Sequence, residues 1–158
     1  MKRWFKAKAK RGVPSGNPPS PFLSEAKDGN PLPGKPVNVM VVVVEDEEVI
    51  RHVICERLQG AGYEAFGAAS AKDARILLLE HKSTPMILIT DLTLPGDGGW
   101  SLAHWAWERF PNLPVVFMSG SIDEFAVRSA LGHRHAAFLQ KPFSLDALVK
   151  SLRSLIAA

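Results

Sequence analysis

From residue 38 onward the sequence predicts an α/β protein, one small open parallel β-sheet with helices packed on both faces. Three observations lead there. Apolar runs with no polar break recur as "VMVVVV" (39–44), "MILIT" (86–90) and "PVVFMS" (114–119), a pattern that suits strands buried on both faces. Helix-period stretches alternate with these runs, and parallel strands need crossovers, which helices of this length supply with the usual right-handed sense. Five strand–helix units fit into roughly 120 residues without an internal repeat, a length suited to a single domain.

Strand one leads into "EEVIRHVICERLQGAG", where Ile50, Val53, Ile54 and Leu58 fall on one helical stripe and Gly60 is the stop. "YEAFGA" (63–68) is a short second strand. Ser70 then caps "AKDARILLLEHK", whose Ala74, Leu77, Leu78 and His81 share a face. The third strand is followed by helix "GWSLAHWAWERF", closed by Pro111. After the fourth strand come helix "IDEFAVRSALG" (122–132), strand "AAFLQ" (136–140) and helix "SLDALVKSLRSLIAA". Leu145, Leu148, Val149, Leu152, Leu155 and Ile156 form the apolar face of that last helix.

Residues 1–36 read differently. Seven of the twelve prolines lie between Pro14 and Pro36, among Gly, Ser and Asn, and such a segment buries too little apolar surface to offset its ordering entropy. A disordered, basic, Pro-rich tail is expected there, with the folded domain over 38–158. Residues 1–37 carry eight Lys/Arg against Glu25 and Asp28, net +6, whereas the remainder carries net −3. The overall charge of +3 therefore belongs to the tail and is no argument that the folded part binds nucleic acid. Trp4 and Phe5 among lysines would suit a weak membrane-surface or nucleic-acid contact. A solvated tail, or an upstream start that is not the natural one, is the simpler account. The single cysteine, Cys55, excludes an internal disulfide framework and reads as a packing residue. No apolar run approaches the ~18 residues of a membrane span, and no h-region follows the basic N-terminus. A cytoplasmic protein without a membrane span is expected.

In open α/β sheets, ligands collect at the carboxyl ends of the strands. Glu45 and Asp46 follow strand one, Asp91 follows strand three, Ser119-Gly120 ends strand four, and Lys141-Pro142 ends strand five. Three carboxylates converging on one edge repel each other unless a cation neutralises them, and hard oxygen ligands completed by water are a Mg²⁺ preference. With a lysine and a hydroxyl beside them, the set suits phosphoryl transfer, Asp91 being the nucleophile of an acyl phosphate.

The fragments "VVVVEDEE", "LITDLTLPGDGG", "VVFMSG" and "FLQKPF", in this order and spacing, resemble the receiver domain of two-component response regulators over about residues 38–157. The resemblance implies a flavodoxin-like, doubly wound sheet of strand order 2-1-3-4-5. It implies Asp91 as phosphoacceptor and Mg²⁺ held by Asp46 directly, by Glu45 mostly through water, by Asp91, and by the backbone carbonyl of Thr93. Lys141 would contact the phosphoryl oxygens and Ser119 would bond one of them once attached. Phe138 would be the aromatic switch residue, Pro142 would follow a cis peptide, and Pro95 and Gly99 would shape the loop after Asp91. The domain would take its phosphoryl group from a histidine kinase or histidine phosphotransfer protein. It would then change the surface of the fourth helix, fifth strand and fifth helix to control a downstream protein or to dimerise. Two departures stand out: Glu45 replaces the more usual aspartate, and Arg134-His135 replaces a common Gly-Ala pair.

Each feature also has a simpler reading. Asp91 alone would pass as a turn former, but Glu45, Asp46, Ser119 and Lys141 argue otherwise. Glu47 and Glu48 suit the positive end of a helix dipole. Trp100, Trp105 and Trp107 read as packing residues ahead of a base-stacking platform. The scattered His52, His81, His104, His133 and His135 lack zinc spacing. Because the chain ends just after the last helix, a stand-alone receiver without direct DNA binding is expected, a signalling domain and not a turnover enzyme. The rivals are a pseudo-receiver that acts without phosphorylation and a small Mg²⁺-dependent aspartyl-phosphate phosphatase of the haloacid dehalogenase type. Thr93 stands where such a phosphatase would carry its second aspartate.

Overall fold

The computed structural model describes residues 39–84, 86–121 and 135–157. The tail expected over 1–36, the helix expected over 122–132, and His133 and Arg134 lie outside the described residues. In chain order the elements are β1 (Met40–Val44), α1 (Glu48–Gly60), β2 (Glu64–Ala68), α2 (Ala71–Glu80), β3 (Met86–Asp91), α3 (Gly98–Arg109), β4 (Val115–Ser119), β5 (Ala136–Gln140) and α4 (Leu145–Ala157).

All five strands are parallel, in the order β2-β1-β3-β4-β5. The two-residue side-chain period of a strand divides the interior into two cores. Met40, Val42 and Val44 of β1, with Leu88 of β3 and Val115 and Phe117 of β4, face α2 and α3 through Ala74, Leu78, Leu102 and Ala106. Val41 and Val43, with Ile87, Ile89, Val116 and Met118, face α1 and α4 through Ile54, Leu58, Leu148 and Leu152. Every residue of β1, β3 and β4 is buried, which is why those runs carry no polar break.

Ser70 caps α2, its Oγ accepting the Asp73 N–H at 3.1 Å. Trp107 is buried and donates its indole N–H to the Leu113 carbonyl at 3.0 Å, while Trp100 and Trp105 are half-buried. Cys55 is half-buried against the second core, and burial pushes its thiol up. One expectation needs correcting. Val53 lies on the apolar stripe of α1 that the sequence marks but is 40% exposed, and Val49 is 72% exposed. Only Ile54 and Leu58 of α1 are fully covered, so the buried face is narrower than its apolar stripe. β3 is also one residue longer than its apolar run, because Asp91 itself sits in the ladder opposite Met118.

Candidate functional site

Parallel register brings the strand ends to one edge: Val44 lies beside Thr90 and Ala68, Asp91 beside Met118, and Ser119 beside Gln140. The backbone ladder runs one residue past several strands. The Glu45 N–H donates to the Ala68 carbonyl (3.1 Å), the Leu92 N–H to the Met118 carbonyl (2.9 Å), and the Lys141 N–H to the Ser119 carbonyl (2.8 Å). Site residues are thus held by sheet hydrogen bonds on a rigid frame.

The side chains meet at Lys141. Its Nζ donates to Asp91 Oδ2 at 2.5 Å and to Glu45 Oε2 at 2.8 Å, and both carboxylates are buried. The other oxygen of Asp91, Oδ1, accepts the Thr93 backbone N–H and the Thr93 hydroxyl, each at 2.7 Å. Glu45 Oε1 accepts the Glu47 N–H at 3.2 Å.

These bonds set the charge states. Burial pushes the Asp91 carboxyl up, but the hydrogen bonds from Lys141 and Thr93 together outweigh it and hold it below the usual range. For Glu45, burial prevails over Lys141 and the Glu47 N–H, and the neighbouring Asp46 pushes the same way, so its carboxyl is raised. Burial disfavours the Lys141 ammonium, yet its bonds to Asp91 and Glu45 raise it overall. One ammonium therefore serves two buried carboxylates, with exposed Asp46 adjacent to Glu45 in the chain.

The remaining expected residues are placed as follows. Ser119 is buried, and its Oγ donates to the Ser121 carbonyl at 2.8 Å, not to any of the acids. Phe138 is half-buried on the first core. The Lys141–Pro142 peptide is cis. Pro95 is exposed in the loop after Asp91. Gly99 packs so tightly beneath that loop that a Cβ would lie 2.0 Å from the Asp91 carbonyl oxygen and 2.7 Å from Thr90 Oγ1.

Among the described residues no three His, Cys, Asp or Glu side chains are grouped as a metal cage. Mg²⁺ does not need one, since it takes one or two carboxylates and keeps several waters. Glu45 and Asp91 are hard oxygen donors whose combined charge exceeds that of Lys141, so the donor set fits that ion.

Three contacts had no counterpart in the motif reading. The Thr93 hydroxyl bonds Asp91, whereas the family resemblance gives a role only to the Thr93 carbonyl. Arg75 of α2 pairs with Asp97 at 2.9 Å, tying α2 to the start of α3. Arg51 of α1 donates to the carbonyls of Glu45 and Asp46. Polar contacts between elements follow no periodicity; the only available signal was a long cation one to two helical turns after an acid pair.

The family model for the response regulator receiver domain matches residues 41–153. The DNA-binding transcriptional regulator NtrC of Escherichia coli K12 is 34% identical over 110 residues, 70% of this chain and 23% of that protein. Sensor kinase CckA of Brucella abortus is 28% identical over 116 residues, 73% of this chain and 12% of the kinase. The chain thus spans less than a quarter of the length of these curated relatives. Among solved structures, the receiver domain of NtrX from Brucella abortus superposes with a TM-score of 0.66 at 27% identity, covering 75% of this chain and 98% of that one. A receiver domain protein from Clostridium thermocellum shares the fold with a TM-score of 0.68 at 22% identity, covering 75% and 94%.

Proposed function

The chain belongs to the response regulator receiver domain family, and we propose that within it Asp91 accepts a phosphoryl group from a phosphohistidine donor, a histidine kinase or histidine phosphotransfer protein. The observation that carries this reading is the hold on Asp91, gripped on one oxygen by Lys141 and on the other by two donors of Thr93. An ionised, oriented carboxylate is a competent nucleophile.

In the transfer, an Asp91 carboxylate oxygen bonds to phosphorus as the phosphorus–nitrogen bond of the donor imidazole breaks, and the nitrogen keeps the electron pair. The product is an acyl phosphate on Asp91. Lys141 bonds Asp91 Oδ2, and in the transfer it would offset charge building on the phosphoryl oxygens. Receiver domains generally bind Mg²⁺ at this position; here Glu45, Asp46, Asp91 and the Thr93 carbonyl would hold it. Its chemistry would be to neutralise phosphoryl charge and align the group. Receiver domains are signalling domains, and Thr93, in the place of a phosphatase's second acid, gives Asp91 two hydrogen bonds and no general acid.

Once Asp91 carries the phosphoryl group, the Ser119 hydroxyl would exchange the Ser121 carbonyl for a phosphoryl oxygen, with Phe138 moving beside it. The new charge and acceptor oxygens bias a two-state surface that includes β5 and α4. A protein partner, or a second copy of the chain, reads that surface.

The test is the intact-protein mass after incubation with acetyl phosphate and Mg²⁺. A single phosphoryl adduct is expected on the wild type, and none on Asp91→Asn or without metal. An unmodified wild type, also unmodified by a phosphohistidine donor protein, would favour a pseudo-receiver.

A further inference from the structure

The acid-bearing turn after β1 is gripped from outside the site. The Arg51 Nη1 donates to the Glu45 carbonyl at 2.7 Å and to the Asp46 carbonyl at 3.4 Å, while the Glu45 N–H is taken up by Ala68. The Glu45 residue is thereby fixed at both its N–H and its C=O, which aims its carboxylate at Lys141. The N-terminus of α1 has no side-chain cap, so the turn lacks the device that commonly fixes a helix entry. Edge strand β2 makes room for this clamp. At Gly67 a Cβ would lie 3.0 Å from both Arg51 Cγ and Cδ, so the arginine stem crosses a position where a side chain would crowd it.

From these contacts we infer that Arg51 is a positioning residue for the acid pair, holding the backbone so that Glu45 and Asp46 present their carboxylates to Mg²⁺. The inference rests on the reading of those acids as Mg²⁺ ligands. Charge and positioning predict opposite signs. A guanidinium near the acids, acting through its charge alone, repels a divalent cation, and its removal would tighten Mg²⁺ binding. A clamp, when removed, lets the acids drift and weakens it. Groups that orient metal ligands typically matter this way.

The experiment is calorimetric titration of the full chain with MgCl₂ alone, for wild type, Arg51→Met, Arg51→Lys, Gly67→Val and the Arg51→Met/Gly67→Val double variant, with circular dichroism melts of each. Arg51→Met is expected to weaken Mg²⁺ about 10-fold and Arg51→Lys to recover most of that loss. Gly67→Val, which leaves every ligand in place, is expected to weaken binding several-fold when Arg51 is present and to add nothing to Arg51→Met. Binding by Arg51→Met that is tighter than, or equal to, wild type overturns the inference and leaves the phosphoacceptor reading standing. If Arg51→Met fails to fold, wild-type affinity in Gly67→Val overturns it instead. A wild type that binds no Mg²⁺ overturns the metal assignment and the inference with it.

Discussion

The two halves of the sheet edge are built differently. On the β1–β3 side the two buried acids are fixed several times over: Asp91 accepts three hydrogen bonds, and Glu45 is held at both its carboxylate and its backbone. On the β4–β5 side, Ser119 spends its hydroxyl on a neighbour two residues away, and β5 is half-buried to exposed throughout. Phe117 and Phe138 condense the contrast. They are register partners on adjacent strands, yet Phe117 is wholly buried and Phe138 only partly. One half is organised to hold charge in a fixed place, and the other ends in a strand that is half-buried to exposed.

The largest effect should come from that pair. Phe117→Ala is expected to cost about 4 kcal/mol in urea unfolding and Phe138→Ala about half as much. Equal losses would show that β5 is anchored as firmly as β4, and the contrast would fail. Next, Lys141→Met strips two buried carboxylates of their shared partner. It should cost about 2 kcal/mol, less than a fully buried pair because the lysine is 26% exposed. Added Mg²⁺ should restore part of the loss in a thermal melt, and no recovery would argue against a cation site between these acids.

The smallest effect concerns pH. The Glu45 carboxyl is raised, so its contribution to stability is complete below its ordinary range and is lost as pH rises through the raised value. Asp91, held low, has the opposite sign: its contribution is present above the ordinary range and is lost as pH falls through the lowered value. Glu45→Gln should therefore gain in stability relative to wild type as pH rises through the raised value, with the gain shrinking as pH falls toward the ordinary glutamate range. Urea titrations at several pH values measure this, and a gain that grows on acidification would reverse the assignment.

Much of this fold could be read ahead because strands buried on both faces announce themselves as unbroken β-branched runs, and each run ends where its chemistry begins. Asp91 and Lys141 were legible for that reason. The strand order was not contained in periodicity and came with the family resemblance. Val53 misled because an apolar stripe records what could be buried, whereas the neighbouring elements determine how much of it is. Arg51, the Thr93 hydroxyl and the Arg75–Asp97 tie stayed hidden because each depends on a distance across the fold or a turn geometry. The motif implies Gly99 as a loop shaper, but its closeness to the Asp91 carbonyl is visible only in three dimensions.

The seam between β1 and β3 has a consequence for synthesis of the chain. β1 is the first described strand, yet its neighbours are β2 and β3, and its pairing with β3 ends at Val44 opposite Thr90. During translation, which proceeds at about 5–20 residues per second, β1 can pair with β2 early but must keep its other edge open until residue 90 leaves the ribosome. For those seconds "VMVVVV", the most apolar stretch of the domain, offers unpaired backbone to any passing strand. The next residue to emerge is Asp91, so the arrival of that buried carboxylate and the closing of the exposed edge are nearly one event.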